Sequence, residues 1–185
     1  LNIFSRVLKK IARVVRHESV KRQARSWSQK NLENTRAKKL LVLCYGNIYR
    51  SPLVSEYLKI KLKETGLEVK SAGFYPVEGR CSPDEHVRMC MEKGVNLSHH
   101  RSDVLSNELL SWSDIVLIMD CRNWDLLMDM DPKSMTKVVW LGSFLENGDI
   151  EIEDPYGKST EIAEQIVDRL LSASDGFVKK INTGC

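Results

Sequence analysis

The fourteen residues Lys39-Leu40-Leu41-Val42-Leu43-Cys44-Tyr45-Gly46-Asn47-Ile48-Tyr49-Arg50-Ser51-Pro52 constrain the fold more than any other stretch of the chain. Leu40 to Leu43 form a short unbroken apolar run, the pattern of a strand buried on both faces. Gly46 and Asn47, which both tolerate positive φ, interrupt it. Ser51-Pro52 then predicts a helix start, with the serine hydroxyl as N-cap and proline in the first turn. The expected order is strand, tight loop, helix, with Cys44 opening the loop and Arg50 closing it.

Such a loop has a chemical consequence. Its successive backbone N–H groups, with the unpaired N–H groups of the helix that follows, form a concave anion site. Arg50 adds a planar fork able to hold two phosphate oxygens. The surroundings of a thiol on that floor favour negative charge, which makes sulfur a nucleophile. Ser51 can add a hydroxyl donor. The bland alternative is a structural cysteine beside a surface arginine, and the flanking strand, Gly-Asn and Ser-Pro weigh against it.

The string Val42-Leu43-Cys44-x-Gly46-Asn47-Ile48-x-Arg50-Ser51-Pro52 resembles the phosphate loop of the low-molecular-weight protein tyrosine phosphatases. The resemblance extends over roughly residues 38–182 and implies a three-layer α/β fold, with a four-stranded parallel sheet in the order 2-1-3-4 and helices on both faces. The residues themselves predict the alternation of strands and helices. A helix from Pro52 to Glu64 leads into a strand ending in Ser71-Ala72-Gly73. A helix opens at Ser82-Pro83, with Val87, Met89, Cys90 and Met91 as candidates for its buried side. Strands over 114–120 and 137–142 flank a helix over 121–130, and a terminal helix covers 158–181.

By the resemblance, Cys44 is the nucleophile, Arg50 the phosphate clamp and Asp154, in Asp154-Pro155-Tyr156, the general acid. Asp120 and Asp131 compete for the last role, but their contexts predict a helix cap and a turn. Tyr45, Gly46, Asn47, Ile48, Tyr49, Ser51 and Tyr156 are the expected substrate-binding residues. Ser71 and His99 are expected to support Asn47 by hydrogen bonds, with His100 exposed. Adjacent histidines without a cysteine or carboxylate at zinc-like spacing predict no metal site, and the chemistry needs no cofactor. Most of the class has a second cysteine where this chain has Tyr49, so oxidised Cys44 is expected to be harder to rescue.

The implied activity is hydrolysis of phosphotyrosine in proteins through a cysteinyl-phosphate. The similarity to bacterial members points to a tyrosine autokinase as substrate. Two alternatives use the same loop. An arsenate reductase needs two further redox cysteines near the third strand, where only Cys121 lies. A non-catalytic phosphate-binding module would have no use for the complete Cys44, Arg50 and Asp154 set.

Charge divides the chain. Residues 1–39 hold 12 Lys/Arg against 2 acids, whereas the remainder holds 16 against 23. Leu1, Phe4, Val7, Leu8, Ile11, Val14 and Val15 alternate with Arg6, Lys9, Lys10, Arg13 and Arg16 as a basic amphipathic helix. The division predicted is an N-terminal helix and linker over 1–36, the linker at 26–36, and a catalytic domain over 37–185. The stripe could cover its own domain, a second copy, a partner groove or an anionic membrane surface, and the first two are preferred. Nucleic acid is not expected, since no binding motif accompanies Trp27. No apolar run reaches the ~20 residues of a membrane span. Five cysteines, an odd number without close pairing in sequence, argue against a disulfide framework and point to a reducing, cytoplasmic setting.

Overall fold

The computed structural model describes the backbone from Ile3 to Gly184 and the side chains of residues 5–183, so the expectations on Leu1 and Phe4 lie outside the described side chains. In chain order the elements are α1 (Ile3–Glu33), β1 (Lys39–Cys44), α2 (Arg50–Lys61), β2 (Glu68–Gly73), α3 (Asp84–Glu92), α4 (Asn107–Trp112), β3 (Ile115–Ile118), α5 (Cys121–Met130), β4 (Val138–Trp140) and α6 (Thr160–Gly184). All strand pairings are parallel, and the sheet order is β2-β1-β3-β4, as the resemblance implies.

The sheet is buried on both faces, which explains the unbroken apolar run in β1. Leu40, Val42 and Cys44 point into one core with Leu53, Leu58, Met89, Cys90, Leu170 and Phe177. Leu41 and Leu43 point into the other with Leu110, Trp124, Leu127 and Trp140. Successive side chains of a strand alternate faces, so one run of leucines serves two cores. The C-terminal ends of β1 and β2 meet at Cys44 and Gly73, where ligands of open parallel sheets sit.

The second core contains a region predicted as linker. Helix α1 continues to Glu33, and Val20, Ala24 and Trp27 pack against the sheet. Trp27 stacks on Trp124 at 5.1 Å, and Trp124 on Trp140 at 5.8 Å. β4 is an edge strand, whose backbone would otherwise lack partners. Ser28 Oγ accepts from the Trp140 N–H (2.9 Å) and Asn31 Nδ2 donates to the Val138 carbonyl (2.8 Å). Residues 26–33 are thus helix, and α1 joins the α/β fold at the sheet edge.

Three smaller expectations also change. α4 is an unpredicted helix of six residues, capped by Ser106 through the Leu109 N–H. On α3 the buried positions are His86, Met89 and Cys90, while Met91 faces outward. Among the described residues no helix is long and apolar enough to cross a membrane.

Candidate active site

Cys44 ends β1, and α2 begins at Arg50, so the loop runs over 45–49. Helix α2 starts two residues earlier than predicted, with Tyr49 at the cap position, and Ser51 is not the N-cap. Its hydroxyl lies instead 3.1 Å from the Cys44 sulfur, which also accepts from the Asn47 N–H at 3.2 Å. Two donors thus converge on one sulfur and fix it at the floor of the loop.

Asn47 is the one non-glycine described residue with positive φ, at 50°. Gly46, also expected to supply a positive φ, does not. Asparagine in this conformation costs about 1 kcal/mol, and the surroundings offset it with bonds to every polar group. Its Nδ2 donates to Ser51 Oγ (2.9 Å) and Ser71 Oγ (3.0 Å), and its Oδ1 accepts from the Asp103 N–H at 2.8 Å. Its carbonyl accepts from His100 Nε2 at 2.7 Å.

Ser71 is where the resemblance placed it. His99 is not: it is exposed, and His100 supports the loop. The turn closed by the His100 N–H on the Leu97 carbonyl (3.0 Å) directs the second histidine inward and the first to solvent. Burial lowers the His100 pKa below 6.5, and its bond to Asn47 opposes that only in part. The carbonyl partner requires a hydrogen on Nε2, which neutral imidazole supplies.

Gly73 explains how the loop can settle on β2. A Cβ there would stand 2.9 Å from both Asn47 N and Tyr45 O, closer than such contacts allow. The glycine of Ser71-Ala72-Gly73 is a matter of space.

Arg50 is 1% exposed yet carries its charge among carboxylates. Nη1 donates to Asp120 Oδ2 (2.5 Å) and the Ile152 carbonyl (3.0 Å), while Nη2 donates to Asp154 Oδ2 (2.6 Å). Burial works against the cation, but Asp120, the Cys44 sulfur and Asp154 outweigh it and raise its pKa. Arg50 Nε is buried without a protein partner, a donor left for an anion. Asp120 does more than the predicted capping. Its Oδ1 caps α5 through the Asn123 N–H (2.7 Å), and its Oδ2 aims Arg50. Asp131, by contrast, only caps the turn at 132–137.

A pocket of about 400 Å³ opens over the loop. Cys44, Gly46, Ile48 and Asp154 line it, with Tyr45, Tyr49, Tyr75 and Tyr156 as aromatic walls. Tyr49 meets Tyr156 edge-on at 6.3 Å, and Tyr45 meets Tyr75 in the same way at 6.0 Å. Two arginines stand on the rim. Arg122 lies 3.3 Å over the Tyr45 ring and Arg80 4.3 Å over the Tyr75 ring. Tyr75, Arg80 and Arg122 escaped the sequence reading because no local motif marks them. His86 escaped too. It is buried, its Nε2 donates to the Tyr49 carbonyl at 3.0 Å, and burial lowers its pKa despite that bond.

Residues 39–184 match the family model described as low molecular weight phosphotyrosine protein phosphatase. A protein-arginine-phosphatase of Geobacillus stearothermophilus is 33% identical over 146 residues, covering 78% of this chain and 97% of its own length. A probable low molecular weight protein-tyrosine-phosphatase, EpsP of Ralstonia nicotianae, is 31% identical, covering 78% of this chain and 96% of its own. Among solved structures, the Erwinia amylovora tyrosine phosphatase AmsI superposes with a TM-score of 0.73 at 30% identity, covering 79% of this chain and 94% of its own.

Proposed function

This chain belongs to the low molecular weight phosphotyrosine protein phosphatase family, and from that premise we propose that its pocket hydrolyses phosphotyrosine in proteins through a cysteinyl-phosphate on Cys44. The observation that carries the reading is the sulfur with two donors, set in the same pocket as the Asp154 carboxyl and beneath aromatic walls.

Cys44 thiolate attacks phosphorus in line, forming an S–P bond as the P–O bond to the phenol breaks. Loop N–H groups, Arg50 Nη2 and the unpartnered Nε hold the phosphoryl oxygens as charge develops on them. Asp154 hands its proton to the departing phenolic oxygen. It then takes a proton from water, which attacks phosphorus and releases inorganic phosphate and the thiolate. Asp154 starts one guanidinium away from the phosphoryl site, since Arg50 binds both. Asp120 keeps Arg50 aimed throughout.

The relatives divide between arginine and tyrosine phosphatases. The rim favours tyrosine. A phenyl ring finds four tyrosine rings, whereas the cationic guanidinium of phosphoarginine meets Arg80 and Arg122. The same two arginines suit acidic residues beside the phosphotyrosine, and a tyrosine autokinase is the proposed substrate. A thiol nucleophile stays reduced in a reducing compartment, which supports a cytoplasmic location. Arsenate reduction is disfavoured. Burial pushes the Cys90 thiol up to about 12, and burial followed by Glu151 raises that of Cys121, so neither is poised for a relay.

Matched phosphotyrosine and phosphoarginine peptides, with Cys44→Ser as control, test the assignment. The expected kcat/KM is roughly tenfold or more in favour of phosphotyrosine. A preference for phosphoarginine would overturn it.

A further inference from the structure

The two halves of α1 present their apolar residues on different sides of the cylinder. With 100° per residue, Val20, Ala24 and Trp27, which pack on the domain, fall within one arc together with Ser28 and Asn31. In residues 5–16 that same arc holds Arg6, Lys9, Lys10 and Arg13, with Arg16 just outside it. Val7, Leu8, Ile11, Val14 and Val15 occupy an arc of about 120° on the far side, and each is between 48% and 63% exposed. The first polar contact between α1 and the domain is Arg16 Nη2 to Asp125 Oδ1 (2.9 Å), joined by His17 Nε2 to Asp125 Oδ2 (2.8 Å). The stripe therefore does not cover its own domain, against the preferred expectation, because residues 6–16 stand exposed on every face of the helix.

We propose that residues 5–16 of α1 dock on an anionic lipid surface, with the aliphatic stripe at the acyl boundary and the cations Arg6, Lys9, Lys10 and Arg13 among the headgroups. Charge selects this occupant. The segment holds no acid before Glu18. Pairing two copies through the stripe would cover it but leave the cations, which lie on the opposite arc, without a partner. An anionic bilayer attracts them as well, by roughly fivefold in affinity for each basic residue near the surface. The stripe's position away from the domain lets a flat surface reach it, and valine, leucine and isoleucine supply the apolar face such helices use.

Co-sedimentation of the full chain with vesicles tests the proposal. Vesicles of phosphatidylcholine containing about a quarter phosphatidylserine are expected to pellet the protein, and pure phosphatidylcholine to leave it in solution. Ile11→Glu/Val15→Glu and Lys9→Glu/Arg13→Glu should each lower binding at least about tenfold. Both should hydrolyse p-nitrophenyl phosphate at the wild-type rate, which verifies folding independently of lipid. Sedimentation equilibrium without lipid should give a monomer. Three results would each overturn the proposal: no preference for anionic over neutral vesicles, undiminished binding by both variants, or a lipid-independent dimer that Ile11→Glu/Val15→Glu dissociates.

Discussion

The phosphate loop and the β4 edge of the sheet are held in place by opposite means. At the loop, polar bonds dominate: the side chain and carbonyl of Asn47 make four hydrogen bonds, to Ser51, Ser71, Asp103 and His100. At the edge, three indoles stack, and the two hydrogen bonds from Ser28 and Asn31 complete a strand that the stack already covers. Directional bonds fix position, whereas buried area supplies stability. Changes at the loop should therefore alter rate more than stability, and changes at the edge the reverse.

The largest separation is expected for Cys44→Ser. Turnover of an aryl phosphate should fall by at least about 10⁴-fold, since no other group supplies the nucleophile. Stability in urea should move by less than about 1 kcal/mol, because a hydroxyl can accept from Asn47 and Ser51 in the sulfur's place. A large loss of stability would break the contrast at its strongest point. Asp154→Asn comes next. Its kcat should drop about 10²–10³-fold on phosphotyrosine, and less on p-nitrophenyl phosphate, whose leaving group needs less protonation. Equal losses on the two substrates would remove Asp154 from the acid role.

Trp27→Ala tests the other region. It removes the outermost ring of the stack, and a cost of about 2–4 kcal/mol is expected, with kcat within roughly twofold of wild type. Unfolding in urea beside steady-state kinetics measures both. A chain shortened to begin at residue 37 should fare worse, since it bares Trp124 together with the edge of β4, and aggregation is its expected outcome. A folded, soluble shortened chain would return α1 to the status of an appendage.

The loop was legible in the sequence because its chemistry is local. Cys44, Asn47, Arg50 and Ser51 lie within eight consecutive positions, and each residue type has a reason to be there. Asp154 was reachable only through the resemblance, as its place opposite the sulfur depends on a turn more than a hundred residues away. The His99–His100 pair shows the limit of this reading. Adjacent residues differ in direction, and the hydrogen bond from His100 to Leu97 that decides between them leaves no mark on composition. The misread linker has a similar cause. Residues 26–33 are mostly polar, and beside Trp27 and Leu32 their contacts are single side chains bonded to a strand over 100 positions on. Periodicity finds apolar stripes, and a helix that docks partly through serine and asparagine offers little of one.

The smallest expected effect links the two kinds of restraint through pH. His100 and His86 both have pKa values held below the ordinary 6.5, in each case chiefly by burial, and both donate to loop carbonyls as neutral rings. The unfolded chain takes up these protons near 6.5 while the folded chain resists them. Stability is thus complete above that value and declines as pH falls from it toward the lower folded-state values. Each histidine contributes at most about 1.4 kcal/mol per pH unit over that window. Urea unfolding at pH 7.5, 6.5 and 5.5 should show the decline in wild type and a shallower one in His100→Gln, whose amide can still donate to Asn47. The same variant should keep most of its activity at pH 7.5, because the loop needs the bond and not the charge. An undiminished slope would mean that His100 does not resist protonation, and that the polar clamp on Asn47 is indifferent to the ionisation state of the ring that supports it.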